Sequence, residues 1–175
     1  WDKLHDMFDR CKTWEGVPGP GCWPDCDMLP VGRLCKDAPY HGAQNRMSNF
    51  TPDEVRTMFT LWGIFRSPLF LGGDLPADVL AMLTNGDYLQ MHATSYGARE
   101  LLRRETNGRG TIQWVACGRG CKYAAMFNTQ DRPARQTLDL TALHLPDTPC
   151  DLTEIWSGEP LGTFKNRFSA TVPAH

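Results

Sequence analysis

Apolar side chains open the chain at helical spacing. Trp1, Leu4, Phe8 and Cys11 fall on one stripe, with Asp2, Lys3, Asp6 and Asp9 on the other faces. This predicts a helix stopped by Gly16 and the run Pro18-Gly19-Pro20-Gly21. A short β-like stretch follows to Pro30. Residues 32–49, with Gly32, Pro39 and Gly42, then read as a long loop of the kind that is usually surface or functional. Thr51-Pro52-Asp53-Glu54 predicts a helix start, because the Thr hydroxyl can cap free backbone N–H groups, Pro suits the first turn and Glu54 completes a capping box. Val55, Met58, Phe59, Trp62 and Phe65 form the helical stripe. Leu61 and Ile64 add apolar surface outside it, so burial on more than one side is expected before Ser67-Pro68 ends the helix. The all-apolar run Pro68-Leu69-Phe70-Leu71, bounded by Gly72-Gly73, suits a strand buried on both faces. Residues 77–84 read as a last helix, stopped by Asn85-Gly86 and followed by His92.

Helix, strand, loop, helix, strand, helix over residues 1–92 is the grammar of parallel α/β structure, and two strands do not make a closed sheet. From about residue 93 the pattern changes to alternation. Ile112, Trp114 and Ala116 alternate with polar neighbours, as do Tyr123, Ala125 and Phe127, then Leu138 and Leu140, Leu152 and Trp156, and Phe168, Ala170 and Val172. Five or six short strands separated by turn residues predict an antiparallel sandwich or barrel. The boundary is expected between residues 92 and 100. No flexible linker lies there, so the two parts are expected to pack closely.

Composition narrows the picture. A length of 175 residues holds one domain, or one domain and part of another. Net charge is −2 and the basic residues are scattered, with Arg103-Arg104 read as a solvated face, so no nucleic-acid partner is expected. No run approaches the ~18 apolar residues of a membrane span, so no membrane partner is expected either. The first residues do not form a signal peptide. A start at Trp1 instead of Met fits a portion of a longer protein. The seven cysteines are odd in number and lack zinc spacing, so at least one is free or bonded outside the chain. Cys117 and Cys121 flank a tight turn and are either a cross-strand disulfide or two unbonded small residues. Cysteine usage leans toward a secreted or periplasmic setting. The five histidines show no metal-pair spacing and read as structural or solvated. Asn49-Phe50-Thr51 matches a glycosylation sequon.

The richest chemistry lies in Gly19-Pro20-Gly21-Cys22-Trp23-Pro24-Asp25-Cys26-Asp27-Met28-Leu29-Pro30. On a strand, Trp23, Asp25 and Asp27 share one face, and Cys22, Pro24, Cys26 and Met28 the other. Two carboxylates beside an indole suit a sugar: carboxylates accept strong hydrogen bonds from vicinal hydroxyls, and an aromatic ring covers the C–H face. The bland alternative is a strand end with surface acids and a core Trp. Asp25 and Asp27 lie roughly 6.8 Å apart along a strand, within the range for an inverting glycosidase. Neighbours on one strand approach from the same side, however, and cannot flank a scissile bond. An Asp-x-Asp site for a cation and nucleotide-sugar is a weaker alternative without supporting glycines, and no nucleophile elbow supports a Ser/His/Asp triad.

This stretch resembles the Gly-Trp-x-Asp-x-Asp-Met-Leu segment of the family 27 glycoside hydrolases, the α-galactosidase (melibiase) family of clan D. Leu61-Trp62-Gly63-Ile64-Phe65-Arg66-Ser67-Pro68-Leu69-Phe70-Leu71-Gly72-Gly73-Asp74-Leu75 is similar to that family's next helix and strand. Ala124–Asn128, Leu152–Gly158 and Phe168–His175 resemble its C-terminal antiparallel domain. The resemblance implies α/β then all-β structure: residues 1–95 as the C-terminal part of a (β/α)8 TIM barrel, with its last two strands and their helices, and residues 96–175 as a β-sandwich truncated at its end. It implies a retaining exo-glycosidase acting on terminal α-D-galactosides, with no cofactor, no metal and a homodimer as the full-length form. Its closing motif Trp looks like Trp1, so both catalytic carboxylates are expected upstream and none in this chain. Asp27 matches a sugar-pocket position and Met28 its wall, which conflicts with the alternation for Met28 unless the strand ends there and the chain turns, as is expected at a barrel strand end, while Asp25 and Trp23 match positions that shape the pocket. Cys26, where many relatives have Pro or Ala, departs from the pattern, as does Met91-His92-Ala93. The alternative is a non-catalytic carbohydrate-binding or degenerate module.

Overall fold

A computed structural model gives the fold and describes residues 1–36, 43–145 and 148–175. The readings of Pro39, His41 and Gly42 lie outside these residues.

The first helix, α1 (Asp2–Thr13), buries Leu4, Phe8 and Cys11, as its stripe predicts. Two short paired segments, β1 (Arg33–Leu34) and β2 (Arg46–Met47), form a small antiparallel ladder inside the expected loop. Helix α2 (Pro52–Phe65) begins with the predicted capping box: Glu54 N–H donates to Thr51 Oγ1 at 3.2 Å, and Thr51 N–H donates to Glu54 Oε2 at 2.7 Å. It buries Val55, Met58, Phe59, Leu61, Trp62, Ile64 and Phe65, so its apolar surface runs round most of the helix. Each such large side chain contributes roughly 1.5–3 kcal/mol on burial.

Helix α3 (Ala77–Leu83) is followed at once by α4 (Gly86–Thr94), which the sequence reading missed. Asn85-Gly86 reads as a stop, yet Asn85 starts α4: its side chain accepts from Tyr88 N–H at 2.9 Å. Asn serves both roles because its short polar side chain satisfies free helix ends. His92 therefore lies within α4, where Nε2 donates to the Ser67 carbonyl at 2.8 Å.

The expected strands through 22–30 and 68–71 are extended segments that meet in one parallel bridge, Leu29 with Leu71. Leu29 N–H donates to Phe70 O at 2.6 Å and Gly72 N–H to Leu29 O at 2.9 Å. Pro24, Pro30 and Pro68 supply no N–H, which limits any longer ladder. An antiparallel bridge joins Arg33 and Asp74 beyond it. Gly73 permits this approach, since a Cβ there would stand 2.6 Å from Val31 O and 2.7 Å from Arg33 O. Among the described residues these segments do not form a barrel.

From Tyr96 onward the described elements are strands and one 3-10 turn. A meander of β3 (Tyr96–Thr106), β4 (Arg109–Cys117) and β5 (Lys122–Asn128) forms an antiparallel sheet in the order β3-β4-β5. β6 (Ala134–Asp139) pairs with β9 (Arg167–Val172), and β7 (Cys150–Thr153) with β8 (Pro160–Phe164). The 3-10 turn Leu140–Leu143 follows β6. β3 and β8 escaped the alternation reading. Trp156, read as a strand position, lies in the turn after β7, stacks on Tyr88 at 4.8 Å and donates from Nε1 to Thr60 Oγ1.

β4 is buried on both faces. Ile112, Trp114 and Ala116 join the core formed with α1, α2 and α4, and Phe65 meets Trp114 edge-on at 6.1 Å. Val115 packs on the other side with Leu138, Leu140 and Leu143. The polar position between them faces protein: Gln113 Nε2 donates to Thr137 O at 3.1 Å. Helices, the β3-β4-β5 sheet and the second strand layer are thus stacked in sequence, and the strand region is a β-sandwich.

Arg103 is not the solvated residue expected. It bridges Asp9 of α1 with Glu100 and Glu105 of β3, and the two glutamates are nearly buried. Lys12 adds a second tie to Glu100 at 2.6 Å. These contacts fasten the first helix to the first long strand. Cys117 and Cys121 are unbonded, and Gly118 N–H donates to Cys121 O across their turn.

Candidate functional site

The segment Trp23–Met28 is anchored by alternate groups. Cys26 points inward and is buried, and its N–H donates to Ser67 Oγ at 2.9 Å. Asp25 and Asp27 are exposed on either side of it. Asp25 Oδ1 accepts from Asp27 N–H at 2.8 Å, and Asp27 Oδ1 accepts from Met28 N–H at 2.7 Å. Asp27 has φ +79°, in the left-handed region that Asp and Asn tolerate better than most residues.

That backbone turn corrects the facing predicted for Met28. Regular alternation groups Met28 with Cys26, but Cys26 is 4% exposed and Met28 53% exposed. A left-handed residue ends the two-residue repeat, so the side chain after it emerges to solvent. Met28 lies over Gly72, where an added Cβ would stand 3.0 Å from its sulfur. Phe70 and Leu71, on the neighbouring segment, are also exposed.

Residues absent from the sequence-based set hold this surface. Trp62 Nε1 donates to the Asp27 carbonyl at 3.0 Å, so α2 fixes the turn from below. The Arg66 guanidinium sits 3.9 Å from the Trp23 ring centroid and donates to Ser95 O and Ala93 O at 2.6 Å each. One side chain therefore fixes the indole, the end of α2 and the end of α4. Burial lowers the Arg66 pKa, though arginine remains charged. A lone charged residue between the apolar run of α2 and Ser67-Pro68 was the available signal for it.

Trp23, Asp25, Asp27 and Met28 are thus brought together on one short segment. Its exposed carboxylates can accept hydrogen bonds from hydroxyls, and its thioether and indole offer apolar area. Their fixed geometry suits recognition. A nucleophile and acid/base must flank a scissile bond, whereas these two acids share one extended segment, Asp25 bonded to the Asp27 N–H and Asp27 to the Met28 N–H. Two concavities occur elsewhere. One of about 440 Å³ includes Trp1, Pro30, Leu34 and Phe50, and one of about 350 Å³ includes His5, Arg109, Asp131 and His175. Neither includes Asp25, Asp27 or Met28. Among the described residues no group of His, Cys, Asp and Glu is arranged to hold a metal, and no helix is long and apolar enough to cross a membrane.

A family model for the α-galactosidase C-terminal β-sandwich domain matches residues 112–175. α-Galactosidase D of Emericella nidulans is 33% identical over 179 aligned residues, covering the whole chain but 25% of that protein. A family 27 β-L-arabinopyranosidase from Geobacillus stearothermophilus superposes with TM-score 0.89 at 35% identity, over 99% of this chain and 40% of that one. A variant of that enzyme in complex with arabinose gives TM-score 0.90 at 36% identity, again over 99% of this chain and 40% of that one. α-Galactosidase I of Mortierella vinacea shares the fold, with TM-score 0.80 at 19% identity over 98% of this chain and 42% of that one. The chain thus spans a quarter of its fungal relative and two-fifths of the bacterial enzyme. Residues 112–175 thus match the α-galactosidase C-terminal β-sandwich domain, and over its whole length the chain is similar to the C-terminal portion of family 27 glycoside hydrolases.

Proposed function

We propose that the protein containing this chain is a retaining exo-glycosidase that hydrolyses terminal α-D-galactosides. Residues 1–95 are the last two strands of its (β/α)8 barrel with their helices, and residues 96–175 belong to the C-terminal sandwich. Barrel active sites form at the C-terminal ends of strands. Asp27 and Met28 stand next to the Leu29–Leu71 parallel bridge, where such an end would be. Asp27 accepts hydrogen bonds from sugar hydroxyls, Met28 forms the pocket wall, and Asp25 and Trp23 hold the shape. Retention needs a nucleophile and an acid/base about 5–5.5 Å apart. Both stand on segments preceding Trp1 in the parent protein, and the reaction needs no metal or organic cofactor.

The observation that carries this reading is the exposed Asp27, held in a left-handed turn by Trp62, Asp25 and its own carboxylate. So much fixation of an exposed acid is what a recognition site requires, because a preorganised acceptor loses little entropy on binding. The arabinopyranosidase relative fits the same chemistry: β-L-arabinopyranose has the ring stereochemistry of α-D-galactopyranose without the hydroxymethyl group. Contacts around C5 then decide between the two sugars.

The test is turnover of aryl α-galactoside and aryl β-L-arabinopyranoside by the intact protein and by residues 1–175 alone. Turnover of the galactoside is expected from the intact protein and none from the shorter chain. Turnover by residues 1–175 would refute the placement of the carboxylates. Sugar binding by the intact protein without turnover of either substrate would make it a binding module.

A further inference from the structure

Cys11 and Cys26 are 1% and 4% exposed, and their sulfurs stand 3.5 Å apart. They come from separate elements, since Cys11 lies on the buried face of α1 and Cys26 between the two carboxylates of the candidate sugar segment. A disulfide has an S–S distance of about 2.05 Å, so closing this pair needs an approach of only ~1.5 Å. We propose that Cys11 and Cys26 are an oxidation site that closes to a disulfide with a small peroxide, clamping the Asp25–Asp27 segment onto α1.

The two sulfurs have unequal roles. The two thiols share a hydrogen bond in which either sulfur can donate; with Cys11 as the donor, that bond, aided by Ser67, draws the Cys26 pKa below the usual thiol range against the effect of burial. The same bond, with burial, pushes Cys11 upward. Cys26 is therefore the attacking thiolate and Cys11 the resolving thiol. Cys26 attacks one peroxide oxygen and the O–O bond breaks. The leaving hydroxide takes up the thiol proton to become water, and Cys26 becomes a sulfenic acid. The Cys11 sulfur then attacks the Cys26 sulfur. The S–S bond forms, the S–O bond breaks, and hydroxide departs with the Cys11 proton as a second water. Two thiols are oxidised to one disulfide while the peroxide is reduced to two waters. Burial of both sulfurs excludes a bulky disulfide reagent, whereas a peroxide is close to water in size. Cys22 and Cys121 are exposed and serve as internal controls.

The experiment treats the intact protein with hydrogen peroxide, alkylates it after denaturation and maps cysteine peptides by mass spectrometry. The expected result is a cross-linked Cys11–Cys26 peptide and the loss of two alkylated thiols at those positions. The thermal midpoint should rise by several degrees, reversed by a thiol reductant. With dimedone added on denaturation after oxidation, Cys11→Ser should abolish the cross-link and leave a dimedone adduct on Cys26, and Cys26→Ser should leave no adduct on Cys11. Full alkylation of both residues after oxidation, or pairing of either with another cysteine, would overturn the proposal. The wild-type mapping decides the question even where a variant does not fold. None of these readouts is glycosidase activity, so the outcome is independent of the functional reading above.

Discussion

Replacing Asp27 separates its two tasks, accepting sugar hydroxyls and sustaining a left-handed turn. Asp27→Asn keeps an oxygen acceptor for Met28 N–H and a residue type that tolerates φ +79°, so the fold should persist. It removes the charge. A hydrogen bond to a charged acceptor is worth about 1–1.5 kcal/mol more than a neutral one. With two vicinal hydroxyls the loss reaches about 2–3 kcal/mol, or on the order of 10²-fold in kcat/KM. Asp27→Ala loses the same interaction, the Met28 contact and the tolerance of positive φ, which adds about 1–2 kcal/mol of destabilisation. Asp27→Gly relieves the backbone without restoring the acceptor and should fall between them in stability. Initial rates on an aryl α-galactoside and thermal midpoints of the intact protein distinguish the effects. The expected activity order is wild type far above Asn, Gly and Ala, and the expected stability order is wild type and Asn above Gly above Ala. A kcat/KM for Asp27→Asn within twofold of wild type would remove Asp27 from the pocket. Equal midpoints for Ala and Asn would refute the turn argument.

Three further outcomes follow from the surroundings. Trp62→Phe removes the Nε1 donor from the Asp27 carbonyl and should lower kcat/KM severalfold while destabilising the protein by about 1 kcal/mol, read by kinetics and urea unfolding. Gly73→Ala forces a Cβ against Val31 O and Arg33 O and should destabilise by about 2 kcal/mol, with a lower thermal midpoint. Burial raises the Tyr88 phenol pKa above its ordinary value, so the unfolded chain ionises first. The stability from keeping Tyr88 neutral is complete below pH ~10 and is lost as pH rises from there toward the raised folded value. Tyr88→Phe should flatten that alkaline loss in pH-dependent unfolding, and cost about 1 kcal/mol at neutral pH through the lost bond to Phe59 O.

Residue order alone determined whatever depends on near neighbours. The stripe of α1, the capping box and the apolar girth of α2 are local patterns, and each side chain's role follows from a fixed helical repeat. The alternation in β4 and β5 was legible for the same reason, as were the motif residues Trp23, Asp25, Asp27 and Met28. Where one residue type serves opposite purposes, the sequence misled: Asn85-Gly86 stops one helix and also starts the next, and Gln113 alternates as though solvent-facing but lies between two layers. Only tertiary structure decided that the chain turns at Asp27 and exposes Met28, because φ at a non-glycine residue depends on groups far along the chain, here Trp62. Only tertiary structure placed Arg66 over Trp23, Arg103 among buried glutamates, and Cys11 against Cys26. Those contacts join residues far apart in sequence, and no local periodicity encodes which distant groups a folded chain brings together.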